Sequence, residues 1–550
     1  MNTNKLKILT IIPARGGSKG IPRKNVRLLN GQPLIAYSIE NAKNSKYSMD
    51  VCVSTDDIEI EEISKSHGVH VIRREDKLAS DEIPLDPVIF DTYKKMLEKS
   101  DESYDLIVTL QPTSPLLKTE TLDLAIEKMI TNPSIDTLIS AENTPHLSWK
   151  YDDNGEVIPN YQKRLNRQYL PDHFSETGAF LITRSDIITK DTRIGNVVSV
   201  FELPSDQAID IDTPQDWWVA EGELTKKNIL IRVEGNSQIG LGHVYRGLSL
   251  AYRLINHNLH FIVSDTSDIA IEKLKNSFFP FTIINNQEDI GELITDKDID
   301  IVINDILDTT SEYIQYLKSY NIKVVNFEDI GNGANYADAV INDLYEEKEI
   351  QGNHFYWGSD YYILRDEFLI TQPSSFSETV KNILIIFGGV DPSNLTQKLL
   401  DVFPNLYENK NFLFTIIVGP GYAYYEELKV EAKLSNLNIE VIQDVKSMSA
   451  YMKRADLAVS SQGRTMLELA SMGVPTILMA QNERELSHEF GYLNNGFINL
   501  GLGSDLTYKT IASTLNWVIS TPQVREQMHH QMQQKDLRNG MDRVLQIILN

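Results

Sequence analysis

Short continuous apolar runs, each closed by a turn and followed by a stretch of helical periodicity, recur along the whole chain. Such a run reads as a parallel strand buried on both faces, and the helical stretch after it as the crossover to the next strand. Ile8 to Pro13 opens the first unit of this kind, and Ile229 to Val233 opens another after the polar stretch Glu221 to Asn228. Further strands are expected near 261, 301 and 323, and a separate series near 383, 414, 440 and 457. Gln372 to Thr379, containing PSSFSET, reads as the linker between these two series. The pattern predicts an α/β protein of three lobes, 1–226, 227–375 and 376–550, without internal repeat or low-complexity tail.

Composition narrows the function. At 550 residues the chain exceeds one ordinary core. Its 77 acidic against 52 basic residues give a formal charge of −25, which argues against general affinity for nucleic acid or anionic membrane. Positive potential, where needed, must be local. The single cysteine, Cys52, lies in an apolar strand pattern and reads as structural in a reducing compartment. The first apolar run is cut short by Pro13 and Arg15, and no run is long enough to span a bilayer, so a cytoplasmic protein without membrane insertion is expected.

Two glycine-rich turns interrupt strand-to-helix junctions: IPARGGSKGIPRKN at 12–25 and IGLGHVYR at 239–246. Glycine there lets backbone approach a phosphate, while helix-terminal N–H groups and nearby Arg or Lys neutralise it. Two nucleotide sites on one chain are implied. In the first, Arg15, Lys19, Arg23 and Lys24 surround Gly16, Gly17 and Gly20, a charge density suited to a triphosphate. Neither GxxxxGK[ST] nor GxGxxG is present.

The first turn is followed in order by VSTDD (53–57), RREDKLASD (73–81), LQPTSPL (110–116), NRQYLP (166–171) and AIDIDTPQDW (208–217). This series resembles the CMP-sialic acid synthetase family, including its pseudaminic acid members, which activates nine-carbon 2-keto sugar acids with CTP on a Rossmann-like nucleotidyltransferase fold. The resemblance implies that Arg15, Gly16, Gly17, Lys24 and Asn25 contact CTP, that Arg74 and Ser80 help hold the nucleotide, and that Gln111, Arg167 and Gln168 meet the sugar acid. Where sialic acid enzymes often read Asn-Gly, this chain has Thr177-Gly178, which argues against ordinary N-acetylneuraminate as substrate. Any self-association is expected through this N-terminal domain.

Asp210 and Asp212, two apart on an extended segment, project to one side and suit one cation. Magnesium commonly takes one or two carboxylates plus substrate phosphates and water. The alternative is a solvated loop or helix cap before Pro214. With Mg2+ there, the sugar acid's anomeric hydroxyl attacks the α-phosphorus of CTP and pyrophosphate leaves, with Arg15 and Lys24 offsetting charge and Asp210 helping to deprotonate the hydroxyl.

At the second turn, His243 precedes a helical pattern that starts at Val244, with Arg246 close by. The helix dipole there disfavours imidazolium, and a neutral imidazole can accept a proton from water. With WGSDYYILRDEF (357–368), FGGVDPSN (387–394) and SSQGRTMLELASMGVPTI (460–477), this half resembles the UDP-sugar hydrolase of pseudaminic acid biosynthesis, a two-lobed glycosyltransferase B-type module. The resemblance implies that His243 activates water, without a metal, to release UDP from a 2,4-diacetamido-2,4,6-trideoxy sugar. It also implies that Gly240, Gly242, Arg246, Gly388, Gly389, Gly463, Thr465, Glu468 and Asn482 bind the UDP-sugar. Gly463 and Thr465 are placed at a helix N-terminus suited to phosphate, and Glu468 to accept from ribose hydroxyls. Family members commonly have Arg-x-Asp where this chain has Arg232-Val233-Glu234. His488, Trp217-Trp218 and Tyr361-Tyr362 read as packing or surface.

The combined expectation is a bifunctional enzyme of nonulosonic acid biosynthesis, acting on CTP, a nonulosonic acid and a UDP-sugar. The two reactions are not consecutive, so direct channelling is not expected. A true glycosyltransferase, or a catalytically silent nucleotide-sugar-binding module, remains open for the second half.

Overall fold

The computed structural model describes residues 6–17, 20–80, 82–100, 103–236, 239–346, 352–406, 412–443 and 445–550. The chain forms two compact units, Met1–Lys226 and Lys227–Asn550.

The main strands of the first unit are β1 (Ile8–Pro13), β2 (Met49–Thr55), β3 (His70–Arg73), β4 (Leu106–Leu110), β5 (Thr137–Asn143), β6 (Phe174–Arg184) and β7 (Val198–Glu202). They lie in one seven-stranded sheet, ordered β3-β2-β1-β4-β6-β5-β7. Only β6 runs antiparallel to its neighbours, β4 and β5. Every residue of β1 is buried because helices cover both faces. Ile8 and Ile12 join the core under Leu34–Asn44 and Thr119–Thr131, whereas Leu9 and Ile11 join Cys52 under Leu85–Ser100. Burial there pushes the Cys52 thiol up to about 12, as expected of a structural cysteine. Register in β6 breaks between Glu176 and Leu181, and Gly178 takes φ +72° inside that break.

The second unit carries two parallel sheets. The first holds β8 (Asn228–Val233), β9 (Asn258–Ser264), β10 (Phe281–Ile284), β11 (Ile301–Asp305), β12 (Lys323–Phe327), β13 (Ala339–Asn342) and β14 (Phe355–Trp357), in the order β10-β9-β8-β11-β12-β13-β14. The second holds β15 (Asn382–Ile386), β16 (Leu413–Val418), β17 (Asn438–Gln443), β18 (Leu457–Ser460), β19 (Thr476–Ala480) and β20 (Phe497–Leu502), in the order β17-β16-β15-β18-β19-β20. This is the glycosyltransferase B-type architecture. In each sheet the order reverses beside the first strand, and ligands of open parallel sheets bind beyond the carboxyl ends of the strands at that point.

One element departs from the lobe boundaries read along the chain. The helix Gly540–Leu549 returns to the first lobe, where Met541, Val544 and Ile548 pack with Ile229, Ile231 and Ile303. Among the described residues no helix is long and apolar enough to cross a membrane.

Candidate functional sites

In the first unit the glycine turn leaves β1 and folds against residues 210–212. A Cβ at Gly20 would stand 2.2 Å from the Asp212 carbonyl oxygen, and one at Gly16 would stand 2.5 Å from Asp57 Oδ2, so both close approaches need glycine. Gly16 N–H donates to Asp56 Oδ1 at 3.0 Å, and Asn25 Nδ2 donates to the Arg15 carbonyl at 2.9 Å. Gly17 has open space where a side chain would be. Lys24 is buried and donates to the Ile211 carbonyl (2.6 Å) and to Asp212 Oδ1 (3.0 Å). Arg74 is buried, donates to the Ser54 carbonyl at 2.8 Å and feels the charges of Asp56 and Arg15. Lys19 lies outside the described residues.

Residues 210–212 alternate as an extended segment should. Ile211 enters the core while Asp210 and Asp212 take the other side. Thr213 and Asp216 form a capping box on the helix Pro214–Leu224, and Asp216 Oδ2 accepts the Asp212 N–H at 3.0 Å, so capping falls to those residues and leaves both aspartate side chains to the site. Asp212 is 73% exposed. Burial, with the Asp212 charge adding to it, holds Asp210 above its ordinary value. Asp210 Oδ1 is buried, and the Thr113 hydroxyl lies against the carboxylate. Gly178 brings the sugar side close: a Cβ there would stand 2.8 Å from Gln111 Nε2 and 3.5 Å from Asp210 Oδ2. Thr177 turns inward, donating to Ser140 Oγ at 3.0 Å. Three residues expected to contact the substrates are exposed. Arg167 and Gln168 are exposed on a single 3-10 turn, and Ser80 is exposed with Oγ accepting from the Glu82 N–H at 3.4 Å.

In the second unit a cavity of about 430 Å³ is lined from both lobes, by His243 and Glu328 of the first and Gly388, Gly463, Thr465 and Glu485 of the second, among others. At the glycine turns the two lobes come within ordinary contact distance. A Cβ at Gly242 would touch Arg464 Cδ at 3.4 Å, and one at Gly389 would lie 3.8 Å from Leu241 N. Gly240 and Gly388 hold φ of +76° and +81°. His243 opens the helix Gly242–Arg253, and its Nδ1–H donates to Asp305 Oδ1 at 2.5 Å. Arg246, one turn on, grips the same carboxylate through Nε (2.6 Å) and Nη2 (2.5 Å) and gives Nη1 to Glu328 Oε1 (2.6 Å). From the other lobe Arg464 donates to Glu328 Oε1 (2.8 Å) and Asp343 Oδ2 (2.9 Å). Three buried carboxylates thus face two guanidiniums and one imidazole. Burial drives the carboxylates upward, but Arg246 and His243 hold Asp305 below its ordinary value, and Arg246 and Arg464 hold Glu328 well below. For Asp343 burial outweighs the two arginines, and its value is raised.

Two residues expected at the ligand line the cavity and also have protein partners. Arg246 is among the cavity's lining residues, but its side chain has no solvent-exposed surface and is paired with Asp305 and Glu328. Asn482 caps the short helix Glu483–Leu486, its Oδ1 accepting from the Glu485 N–H at 2.9 Å. Glu468 lines the cavity and already accepts from Arg365 Nε at 2.7 Å. His488, read from sequence as packing or surface, is buried on the cavity wall. The partner of His243, Asp305, was not anticipated from the sequence. Asp305, Glu328, Asp343 and Arg464 were not singled out by sequence. A signal existed: IVIND, VVNFED and AVIND each end an apolar run in acid, at the carboxyl edge where ligands bind.

The family model described as cytidylyltransferase matches residues 9–157. The pseudaminic acid cytidylyltransferase of Campylobacter jejuni subsp. jejuni serotype O:2 is 36% identical over 216 residues, covering 38% of this chain and 93% of that protein. Through its first unit, the chain belongs to the cytidylyltransferase family. An uncharacterized protein of Methanocaldococcus jannaschii is 32% identical over 273 residues, 46% of this chain, and the chain spans 56% of its length. Beyond the cytidylyltransferase unit, a second family model, glycosyltransferase family 28 C-terminal domain, matches residues 383–544. The spore coat polysaccharide biosynthesis protein SpsG of Bacillus subtilis is 28% identical over 314 residues, 54% of this chain and 91% of that protein.

Proposed function

We propose that the cytidylyltransferase unit joins CMP from CTP to the anomeric hydroxyl of a nonulosonic acid, pseudaminic acid or a close relative. The observation that carries this reading is Asp210: a largely buried carboxylate that feels the charges of Asp212 and Lys24, with its Oδ2 and Gln111 Nε2 both meeting the Gly178 turn. Asp210 takes the hydroxyl proton. The freed oxygen attacks the α-phosphorus, the bond to pyrophosphate breaks, and Lys24 and Arg15 stabilise the charge that develops. Gln111 orients the sugar acid. Asp210 and Asp212 would hold Mg2+, which supplies charge neutralisation at the phosphates when bound. Incubation with CTP, magnesium and a panel of nonulosonic acids tests this; a protein that releases pyrophosphate with none of them refutes it.

We infer that the second unit hydrolyses a UDP-sugar. The His243–Asp305 pair supports this: Nδ1–H is tied to Asp305, leaving Nε2 to take a proton from water. The water oxygen attacks the anomeric carbon and the bond to UDP breaks. The turns at Gly388–Gly389 and Gly463–Thr465 hold the diphosphate, and Glu468 accepts from a ribose hydroxyl. The family 28 match favours a second reading, transfer to an acceptor hydroxyl in place of water. UDP release without acceptor distinguishes them: hydrolysis gives it, and transfer does not.

Self-association through the first unit is part of the same proposal. It is supported by a hairpin that exposes Trp149, Tyr151 and Val157, with Tyr151 75% exposed. Light scattering on Tyr151→Lys reads the loss of the assembly, and a wild type already monomeric refutes it.

A further inference from the structure

The cleft contains a carboxylate where an anion is expected to sit. Glu485 occupies the short helix Glu483–Leu486 and lines the cavity at the turn that follows β18. Its Oε1 lies 3.1 Å from where a Cβ of Gly463 would be, with Ser461 Oγ 3.5 Å from the same point. Its Oε2 accepts the Gln481 N–H at 2.8 Å. That turn leads into the helix Thr465–Met472, whose N-terminal N–H groups are the natural seat of a phosphate.

The charges around Glu485 give it no cation. The loop after β15 brings Asp391, whose Oδ1 accepts from Gln481 Nε2 at 2.7 Å. The turn after β18 brings Ser461, the Gln462 backbone and Arg464, but Arg464 is given to Glu328 and Asp343. On its own helix, Arg484 points away to Asp308 and the Glu328 carbonyl, and Glu483 is exposed. His488 turns its Nδ1–H to the Gln462 carbonyl at 2.7 Å. Burial, with Asp391 adding to it, raises Glu485 to about 7. An ionised carboxylate and a phosphate cannot share one glycine turn without repulsion, whereas a carboxylic acid offers the phosphate a donor.

We propose that Glu485 is a proton-linked member of the diphosphate site, entering as a carboxylic acid that donates to a phosphate oxygen, so that a nucleoside diphosphate binds together with one proton. This rests on the reading of the cleft as a nucleotide-sugar site. It adds a residue that neither the family matches nor the sequence motifs assign to the ligand.

The test is calorimetric titration of the full chain with UDP between pH 6 and 9. Two buffers of different ionisation enthalpy are used at each pH, beside Glu485→Gln as control for the titration of UDP itself. The expected result is uptake of close to one proton by wild type near pH 8, and affinity falling about tenfold per pH unit above 7, the slope of a single-proton linkage. Glu485→Gln should hold its low-pH affinity through that range. UDP binding with no proton uptake by wild type overturns the inference whether or not the variant folds. Equal pH slopes for wild type and a folded Glu485→Gln also overturn it. Absence of UDP binding at every pH removes the inference together with the nucleotide reading.

Discussion

Replacing Asp305 with asparagine keeps the shape of the side chain and removes its charge. Oδ1 accepts from His243 and Arg246, and Oδ2 accepts from Arg246 Nε. An amide has one oxygen, so whichever way it turns, an NH2 group meets a donor. With the oxygen kept toward His243, one charge-assisted hydrogen bond is lost, worth about 1.5–3 kcal/mol. Breaking a buried ion pair costs about 3–5 kcal/mol, and the pair Arg246 keeps with Glu328 puts this case at the lower end, about 3 kcal/mol. At about 2–4 °C per kcal/mol, the melting temperature of this unit should fall by about 6–12 °C. The imidazole also loses its anionic anchor, and general-base terms are about 10²- to 10⁴-fold, so UDP release should slow by at least about 10²-fold. Thermal unfolding and a UDP-release assay read the two effects separately. In a His243→Asn background, Asp305→Asn should still lower the melting temperature but have no further effect on rate, because Asp305 acts through the imidazole. A variant that melts with wild type, or one that slows the reaction further without His243, refutes this account.

Asp212→Asn should lower CTP-dependent pyrophosphate release by about 10²-fold or more, the scale of a lost electrostatic contact in phosphoryl-type transfer, while UDP release is unchanged; near-normal turnover at limiting magnesium would remove the ligand role. Residues 1–226 expressed alone should retain CTP-dependent activity, since every motif of that site lies within them; a folded but inactive fragment contradicts the assignment. Asp305 and Glu328 titrate below their ordinary values when folded, so they contribute stability above about pH 4 that is lost as pH falls through the lower folded values, with Asp343 working in the opposite sense. Acid unfolding of Glu328→Gln should therefore show a larger deficit at pH 6 than at pH 3, and a deficit independent of pH argues against the linkage.

What the sequence revealed was local. A buried strand followed by a glycine turn and a helix is a contiguous pattern, and it pointed to both candidate sites and located the parallel strands. The Asp210–Asp212 pair was legible for the same reason, since alternation along an extended segment needs no distant partner. Charged partners were not legible. His243 and Asp305 are adjacent only because β8 and β11 pair in the sheet. The three carboxylates paired with Arg246 could not be read beside it because they come from the ends of β11, β12 and β13. A long charged side chain near a glycine turn has one appearance in sequence whether it meets a phosphate or a neighbouring strand end.

The helix Gly540–Leu549 has a consequence for how the second unit comes apart. Its core partners Ile229, Ile231 and Ile303 are laid down first in synthesis, yet the first lobe's apolar surface is not closed until the chain has passed through the whole of the second lobe. Gly540 fits there only because it lacks a side chain: a Cβ would stand 2.1 Å from the Tyr362 carbonyl oxygen. The connection between the lobes is therefore double, once through Gln372–Thr379 and once through this returning helix. A protease that nicks the first strap leaves the halves held by the second, so the cut molecule should migrate as one body until denaturant separates its pieces.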